Sequence, residues 1–256
     1  MNPFQPPEDR PPETPPPGAV RVSVPESTPY ITYTLMAITI LAYLLQMVSQ
    51  WLTGTDILAG LGVKYGPAIR QMQLWRLITP LFLHGSILHI GFNMYALFVF
   101  GRGMEARFGK TRFLALYFLG GFAGNVFSFV LTPAASLGAS TAIFALLGAE
   151  GIFLFQNRAV LRGRATRAIN NLVFMAVINL MFGFSVTGVD NWGHIGGLLG
   201  GLLFSWFGGP IWRVEGIFPS VHIEDERKDS GLLSGSLAVL FFFIPIAVMG
   251  FLWPVV

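Results

Sequence analysis

Two residues of this sequence, Ser140 and His194, could together carry out nucleophilic catalysis. Ser140 lies near the start of the apolar stretch LGASTAIFALLGAE (residues 137–150), and His194 lies in DNWGHIGGLLGG (residues 190–201). A serine hydroxyl becomes a useful nucleophile when a base within hydrogen-bond reach takes its proton, and the pKa of histidine suits neutral pH. Taken alone, Ser140 fits a helix N-cap better than a nucleophile. With His194 it forms a candidate catalytic dyad.

Two further polar side chains could stabilise the oxyanion of an acyl-transfer reaction. His89 and Asn93, in LHGSILHIGFNMYAL (residues 83–97), are four residues apart and so share one face of a predicted helix. Each oxyanion donor typically contributes about 10²–10³ in rate, and the free backbone N–H of Ser140 at a helix start would add a third donor. The alternative role for both side chains is polar contact between helices.

The composition predicts an all-α polytopic membrane protein. Of the 256 residues, 53% are hydrophobic and 11% are charged, and the mean hydropathy is +0.62, which is too apolar for an ordinary soluble domain. The apolar runs are continuous rather than alternating, which favours helices over a barrel. Seven runs reach about the length that crosses a bilayer: 31–52, 86–104, 113–132, 138–157, 168–184, 192–208 and 231–253.

Composition shifts divide the chain into four predicted segments. Residues 1–30 hold ten of the 17 prolines and are predicted to be a disordered Pro-rich cytoplasmic tail. Residues 31–208 form a core of six helices, residues 209–230 a charged cytoplasmic loop, and residues 231–256 the seventh transmembrane helix. Because the tail carries four acidic residues, it does not resemble a signal or transit peptide, and the first span is expected to be retained.

The distribution of Lys and Arg predicts the orientation. Thirteen of the 16 fall in the tail and in connections on one side, whereas Lys64, Arg70 and Arg76 share the first connection on the other side. By the positive-inside rule the N-terminus is inside and the C-terminus outside. Spans two, four and six then begin at the outer face of the cytoplasmic membrane. Their polar residues, including Ser140 and His194, would lie in one shallow layer below that face.

Small residues predict that the fourth and sixth spans pack closely. In the sixth span, Gly196 and Gly200 are four residues apart, as are Gly197 and Gly201, a spacing that allows two membrane helices to approach. This contact would bring the starts of the two helices into register. The fourth span offers four small residues of its own: Ala142, Ala145, Gly148 and Ala149.

Four stretches in this order resemble the rhomboid family of intramembrane serine proteases. They are LWRLITPLFLH (74–84), HIGFNMYALFVFGRGMEARFG (89–109), GASTAIFALLGA (138–149) and GHIGGLLGGL (193–202). The resemblance implies a six-helix rhomboid core, here followed by one C-terminal transmembrane helix. It also implies roles for five residues, with Ser140 as nucleophile, His194 as general base, and His89, Asn93 and Gly138 around the oxyanion and substrate.

The resemblance extends to one motif outside that site and departs from the family at two positions. Trp75 and Arg76 match a Trp-Arg pair in the first loop, which implies that this loop is a structured element partly embedded in the membrane. Thr141 stands where a glycine usually follows the nucleophile, and its side chain is expected to crowd the active site or alter the cavity. Phe144 stands where many members have a tyrosine beneath the catalytic histidine.

The leading functional prediction is an endopeptidase that cuts single-span membrane proteins near the outer membrane face. The alternative, kept open by Thr141, is a catalytically weak or inactive rhomboid-like protein that binds transmembrane helices. A small-solute transporter is a third reading, although paired broken helices are not evident. No cofactor, metal or nucleic-acid partner is implied. The sequence has no cysteine and no H-E-x-x-H motif, and it leaves the oligomeric state open.

Overall fold

The computed structural model of the chain describes residues 28–161, 163–217 and 221–253. The predicted disordered tail falls almost wholly on residues 1–27 and so lies outside the described residues, as do the last three residues of the predicted seventh segment. The described residues are mostly helical.

The secondary structure consists of ten helices and two strands in the described residues, with two short 3-10 turns at Leu74–Leu77 and Thr79–Phe82. Each of the seven apolar runs predicted from the sequence coincides with one of the seven longest helices. In chain order the elements are α1 Tyr30–Thr53, α2 Ile57–Gly62, α3 Gly66–Arg70, α4 Ile87–Phe108, α5 Lys110–Leu131, α6 Ser140–Gln156, α7 Arg158–Leu161, α8 Gly163–Ser185, α9 Asn191–Gly208, β1 Trp212–Glu215, β2 His222–Asp225 and α10 Gly231–Leu252.

Four helices, α1, α5, α8 and α10, are long and apolar enough to cross a membrane within the described part of the chain. Helix α6 has 17 residues, which gives a length of about 26 Å, less than the roughly 30 Å of a hydrocarbon core. Most of its side chains are buried. A helix shielded in this way by its neighbours does not have to span the bilayer or match it in composition.

Helices α5, α6 and α9 form the centre of the bundle and touch through glycines. A Cβ atom on Gly197 or Gly201 would collide with the backbone of Thr141 or Ala145 in α6, respectively. A Cβ atom on Gly120 of α5 would likewise collide with Ala145. The predicted close approach of the fourth and sixth spans is therefore confirmed, and the two helices run parallel with their first turns level. The sequence did not indicate that α5 would be a third partner.

Buried acidic groups join the helices at the end of the bundle opposite Ser140. Both carboxylate oxygens of Glu105 in α4 accept hydrogen bonds at the start of α1, from the backbone N–H groups of Ile31 (2.9 Å) and Thr32 (2.8 Å) and from the Thr32 hydroxyl (2.8 Å). Arg107 forms an ion pair with Glu150 of α6. These contacts fix α1, α4 and α6 at one level.

The connection between α9 and α10 contains an antiparallel β ribbon made of β1 and β2. The connection over 209–230, predicted as a charged cytoplasmic loop of an all-α protein, thus contains two short strands. Trp212 is buried edge-on against Phe153 of α6, with ring centroids 4.9 Å apart. Arg112 of α5 donates to the Asp225 carboxylate at 2.6 Å. Apolar burial of Trp212 and this ion pair hold the ribbon on the bundle.

Candidate active site

Ser140 is the first residue of α6, and the segment before it is fixed by the first connection. The Gly138 N–H donates to the Pro80 carbonyl at 2.9 Å, and the Ala139 N–H donates to His84 Nε2 at 3.4 Å. Gly138 has a backbone φ of +131°, a conformation that residues other than glycine rarely adopt. Ser140 is therefore presented by a rigid turn rather than by a free loop.

His194 lies in the first turn of α9, within hydrogen-bond reach of Ser140. Its Nε2 atom is 2.9 Å from Ser140 Oγ, and the residue is 8% exposed. The ring stacks on Phe144 of α6 with centroids 4.3 Å apart and an interplanar angle of 8°. The Nδ1 atom has no hydrogen-bond partner among the described residues. The structure thus gives the imidazole the position that a base for Ser140 requires.

Asp190 fixes the start of α9 as its N-cap. Its carboxylate accepts the Gly193 N–H at 2.9 Å, and its backbone carbonyl accepts the His194 N–H at 3.1 Å. The Ser128 hydroxyl of α5 also donates to this carboxylate. The sequence left Asp190 without a role, and the structure shows that it anchors the helix turn that carries His194.

His89 lies beside the turn that precedes Ser140. The position of a Cβ atom on Gly138 would be 2.7 Å from His89 Nε2 and 3.6 Å from Ser140 Oγ. A larger residue at position 138 would therefore displace the His89 ring. This close approach is a second reason for glycine there, independent of its φ.

Asn93 lies one turn further along α4, on the face it shares with His89. Its Nδ2 atom donates to the His89 carbonyl at 2.9 Å, and the residue is buried. An amide Nδ2 carries two hydrogens, so one remains for another acceptor. The structure brings His89 to the Ser140 segment, whereas the Asn93 amide donates its hydrogen bond within its own helix, α4.

His84 contributes to the site through a geometry that helical periodicity did not indicate. A continuous helix through both residues would place His84 about 140° around its axis from His89, but α4 begins only at Ile87, so this rotation does not apply. The two rings meet edge-to-face with centroids 5.0 Å apart. No group of three or more His, Asp or Glu residues is placed to hold a metal in the described ranges.

The Thr141 side chain is buried. It packs between Gly124 of α5 and Gly193 of α9. The absence of side chains on these two glycines makes room for it, and the expectation that it crowds the active site or alters the cavity stays a prediction.

Lys64 is a fully buried residue of the first connection, although the sequence indicated only its charge and its side of the membrane. Its Nζ donates to three carbonyls at the end of α5, those of Ser128 and Thr132 (each 3.4 Å) and of Ala134. Burial lowers the pKa of Lys64 to about 8, although the charge of Asp190 acts in the opposite direction. A lone lysine in a loop carries no sequence signal for burial, so pattern reasoning had no means of finding it.

Comparison with known proteins decides the family. The Rhomboid domain family matches residues 71–211, more than half of the chain. This chain belongs to the rhomboid family. The matched range of this rhomboid contains every residue predicted for the site.

Several curated proteins are similar to this rhomboid. Rhomboid protease GluP of Bacillus subtilis (strain 168) is 42% identical over 174 residues, which cover 68% of this chain and 34% of that protein. Rhomboid-like protease 3 of Toxoplasma gondii is 38% identical over 144 residues, 56% of this chain and 54% of that protein. RHOMBOID-like protein 9, chloroplastic, of Arabidopsis thaliana is 29% identical over 202 residues, 75% of this chain and 45% of that protein. The rhomboid thus spans between a third and about half of the length of these relatives.

Proposed function

We propose that this rhomboid is an intramembrane serine endopeptidase in which Ser140 is the nucleophile and His194 the general base. The observation that carries the proposal is the 2.9 Å separation of Ser140 Oγ and His194 Nε2. It is supported by the stacking of the imidazole on Phe144, which restricts the ring to one plane.

In the proposed reaction, Ser140 Oγ attacks the carbonyl carbon of the scissile peptide while His194 Nε2 takes the hydroxyl proton. The tetrahedral intermediate collapses when His194 returns this proton to the leaving amine, which yields an acyl-enzyme and a new N-terminus. A water molecule then gives a proton to His194 and attacks the ester carbonyl. Collapse of the second intermediate returns the proton to Ser140 and releases the new carboxyl terminus.

Three donors are proposed for the oxyanion in both intermediates. The His89 ring borders the Gly138 turn, the second Nδ2 hydrogen of Asn93 is available, and the Ser140 N–H belongs to the first turn of α6, where backbone donors have no carbonyl partner within the helix. All three groups are held by the protein before substrate binds. Donors fixed in this way stabilise developing charge without reorganisation.

The proposed substrates are single-span membrane proteins, cut near the outer membrane face. The short length of α6 supports this depth, because its first residue then lies beneath a membrane surface rather than above it. The proposed architecture is a six-helix core over residues 31–208, a connection over 209–230 and a seventh helix from 231. The N-terminus lies on the inner side of the cytoplasmic membrane and the C-terminus on the outer side, in accordance with the Lys and Arg distribution.

Substrate helices must unwind locally before hydrolysis, because a helical peptide bond has its carbonyl occupied and is hidden by side chains. Segments containing Gly or Pro unwind most readily and are the expected cleavage sites. Equal cleavage of a helix-stabilised substrate and of one with a central Gly-Pro pair would contradict this selection.

The decisive experiment combines a fluorophosphonate probe with a generic single-span substrate in detergent. We expect the wild type to be labelled and to cleave, and both activities to be lost in Ser140→Ala and His194→Ala. Each variant is first compared with the wild type for thermal unfolding, so that misfolding is separated from loss of chemistry. A folded wild type that neither labels nor cleaves would refute the protease proposal and favour the alternative, a rhomboid-like protein that binds transmembrane helices.

A further inference from the structure

Three helices meet around the Thr141 side chain, directly behind the Ser140–His194 pair. The position of a Cβ atom on Gly124 of α5 would be 2.6 Å from Thr141 Cβ and 2.6 Å from the Gly193 carbonyl oxygen. The position of a Cβ atom on Gly193 of α9 would be 3.0 Å from Thr141 Cγ2. Thr141 therefore fills a space that exists because both facing residues are glycines.

The contact of Thr141 with Gly193 runs beside the contact of Ser140 with His194. Ser140 and Thr141 are neighbours in α6, and Gly193 and His194 are neighbours in α9. One turn further along α9, Gly197 rests on the Thr141 backbone. The Thr141 side chain therefore lies at the same level of the α6–α9 contact as the Ser140–His194 pair.

The shape of Thr141, rather than its polarity, accounts for its position. Its Oγ1 atom is buried and has no hydrogen-bond partner in the described part of the chain. An unpaired buried hydroxyl costs stability, so the side chain is not held there by hydrogen bonding. What remains is its volume, in contact with two helices.

We propose that Thr141 is a positioning residue, a steric wedge that sets the separation of α6 and α9 and so holds His194 at hydrogen-bonding distance from Ser140. The inference rests on the proposed protease function. Most members of the family have glycine at this position, where only backbone contacts can set the separation of the two helices. In this chain the Thr141 side chain takes that role.

The test compares Thr141→Gly, which removes the wedge, with Thr141→Val, which keeps its shape and removes the hydroxyl. For Thr141→Gly we expect kcat and the rate of fluorophosphonate labelling to fall about tenfold or more, since small misplacements of catalytic groups are costly, with KM changed less than about twofold. Thr141→Val is expected to retain kcat within about threefold. Val239→Ala, in the buried face of α10, is the control for a general loss of packing and is expected to lower the unfolding temperature without changing kcat.

A methyl exchange keeps the test informative if Thr141→Gly does not fold. Thr141→Ser removes the Cγ2 methyl, and Gly193→Ala adds a methyl 3.0 Å from it. The added methyl would also lie 2.9 Å from Asp190 Oδ2, a contact that Thr141→Ser does not relieve. We expect each single variant to lower kcat and the double variant to recover at least part of the loss. A double variant whose loss equals the product of the two single losses would overturn the wedge, as would equal kcat values for wild type and Thr141→Gly.

Failure of the wedge and failure of the protease proposal give different results. An active wild type whose activity is indifferent to residue 141 overturns the wedge alone. A folded wild type that neither labels nor cleaves overturns the protease proposal and with it the role assigned to Thr141.

Discussion

At the scale of single residues, three groups of different chemistry surround the His194 imidazole. Ser140 Oγ lies at one ring nitrogen, the Phe144 ring covers one face, and the Asp190 backbone and carboxylate hold the helix turn below. The orientation of the ring is therefore fixed by stacking and by the backbone, without a carboxylate on Nδ1 in the described residues. The contribution of the Phe144 ring to the orientation of His194 can therefore be tested by substitution.

Replacement of Phe144 by alanine should lower the cleavage rate by about 10- to 100-fold, because the imidazole loses the surface that holds it in plane. Phe144→Tyr is the control, since it keeps the aromatic face and is expected to cleave at a rate within a few-fold of the wild type. The measurement is kcat on a single-span substrate in detergent, with thermal unfolding recorded for each variant. Equal loss in both variants would contradict a role based on stacking.

Part of the site could be predicted from residue types and spacing, and part could not. Ser140, His194 and His89 are polar groups at the starts of apolar spans, so the sequence alone placed them at one level. The direction of the Thr141 side chain depends on Gly124 of another helix, and the partner of Asn93 depends on local rotamers. Neither has a periodic signature in the sequence.

At the scale of the helices, the parallel packing of α6 on α9 depends on glycines along its whole length. Gly197 and Gly201 meet the α6 backbone, and further down the Ser205 hydroxyl donates to the Ala149 carbonyl at 2.9 Å. Because the contact is between backbones, it has little capacity to adjust. A change far from Ser140 should therefore be felt at the site.

Gly201→Ala should destabilise the protein by about 3 kcal/mol or more, at or above the usual cost of overpacking, because the new methyl would overlap the Ala145 carbonyl. Gly151→Ala is the matched control, because nothing lies within 4 Å of a Cβ atom at that position of α6. The higher helix propensity of alanine makes the control neutral or slightly stabilising. Chemical unfolding in detergent gives both values, and similar changes in the two variants would argue against the backbone contact.

Glu105→Gln should destabilise α1 by about 1–3 kcal/mol, because the buried amide cannot accept on both of its terminal atoms as the carboxylate does. Glu105 receives the first N–H groups of α1, so hydrogen exchange at the start of α1 should accelerate in the variant. Exposed Glu224→Gln, on the β ribbon, is the control. Unchanged exchange in α1 would contradict the anchoring role.

At the scale of the whole molecule, three basic residues fix the first connection, two by hydrogen bonds to distant helices and one by hydrogen bonds within the connection. Lys64 reaches the end of α5, Arg76 donates to the Val63 and Gly60 carbonyls (2.9 and 2.8 Å), and Arg70 donates to the Gly250 carbonyl of α10 at 3.1 Å. All three Lys and Arg residues of this connection are thus engaged by backbone carbonyls.

Burial of Lys64 predicts a dependence of stability on pH. Its pKa is about 8 in the folded protein against 10.5 for an ordinary lysine, so between these values the folded state binds fewer protons than the unfolded state. The free energy of unfolding should rise with pH in this window, by at most about 1.4 kcal/mol per pH unit. Unfolding of the wild type and of Lys64→Met from pH 7 to 10.5 checks this. Parallel pH profiles would contradict it.

The long helices were predictable because each coincides with a continuous apolar run, which needs no tertiary information to recognise. The β ribbon was not predictable, since its strands have four residues each and are held by Trp212 on α6 and Asp225 on Arg112. The short helices α2 and α3 likewise depend on the hydrogen bonds that the basic residues of the first connection make with backbone carbonyls. Such elements form because distant side chains meet them, and a local pattern cannot indicate that.

The level first turns of α6 and α9 have a consequence for membranes of different thickness. Long helices accommodate a thicker or thinner bilayer by tilting, and α1, α8 and α10 are the helices with the length and the lipid-facing surface to do so. The central pair meets backbone to backbone and tilts only as one unit. The Ser140–His194 distance should therefore be the same in short-chain and long-chain lipids, even where the outer helices change their angle.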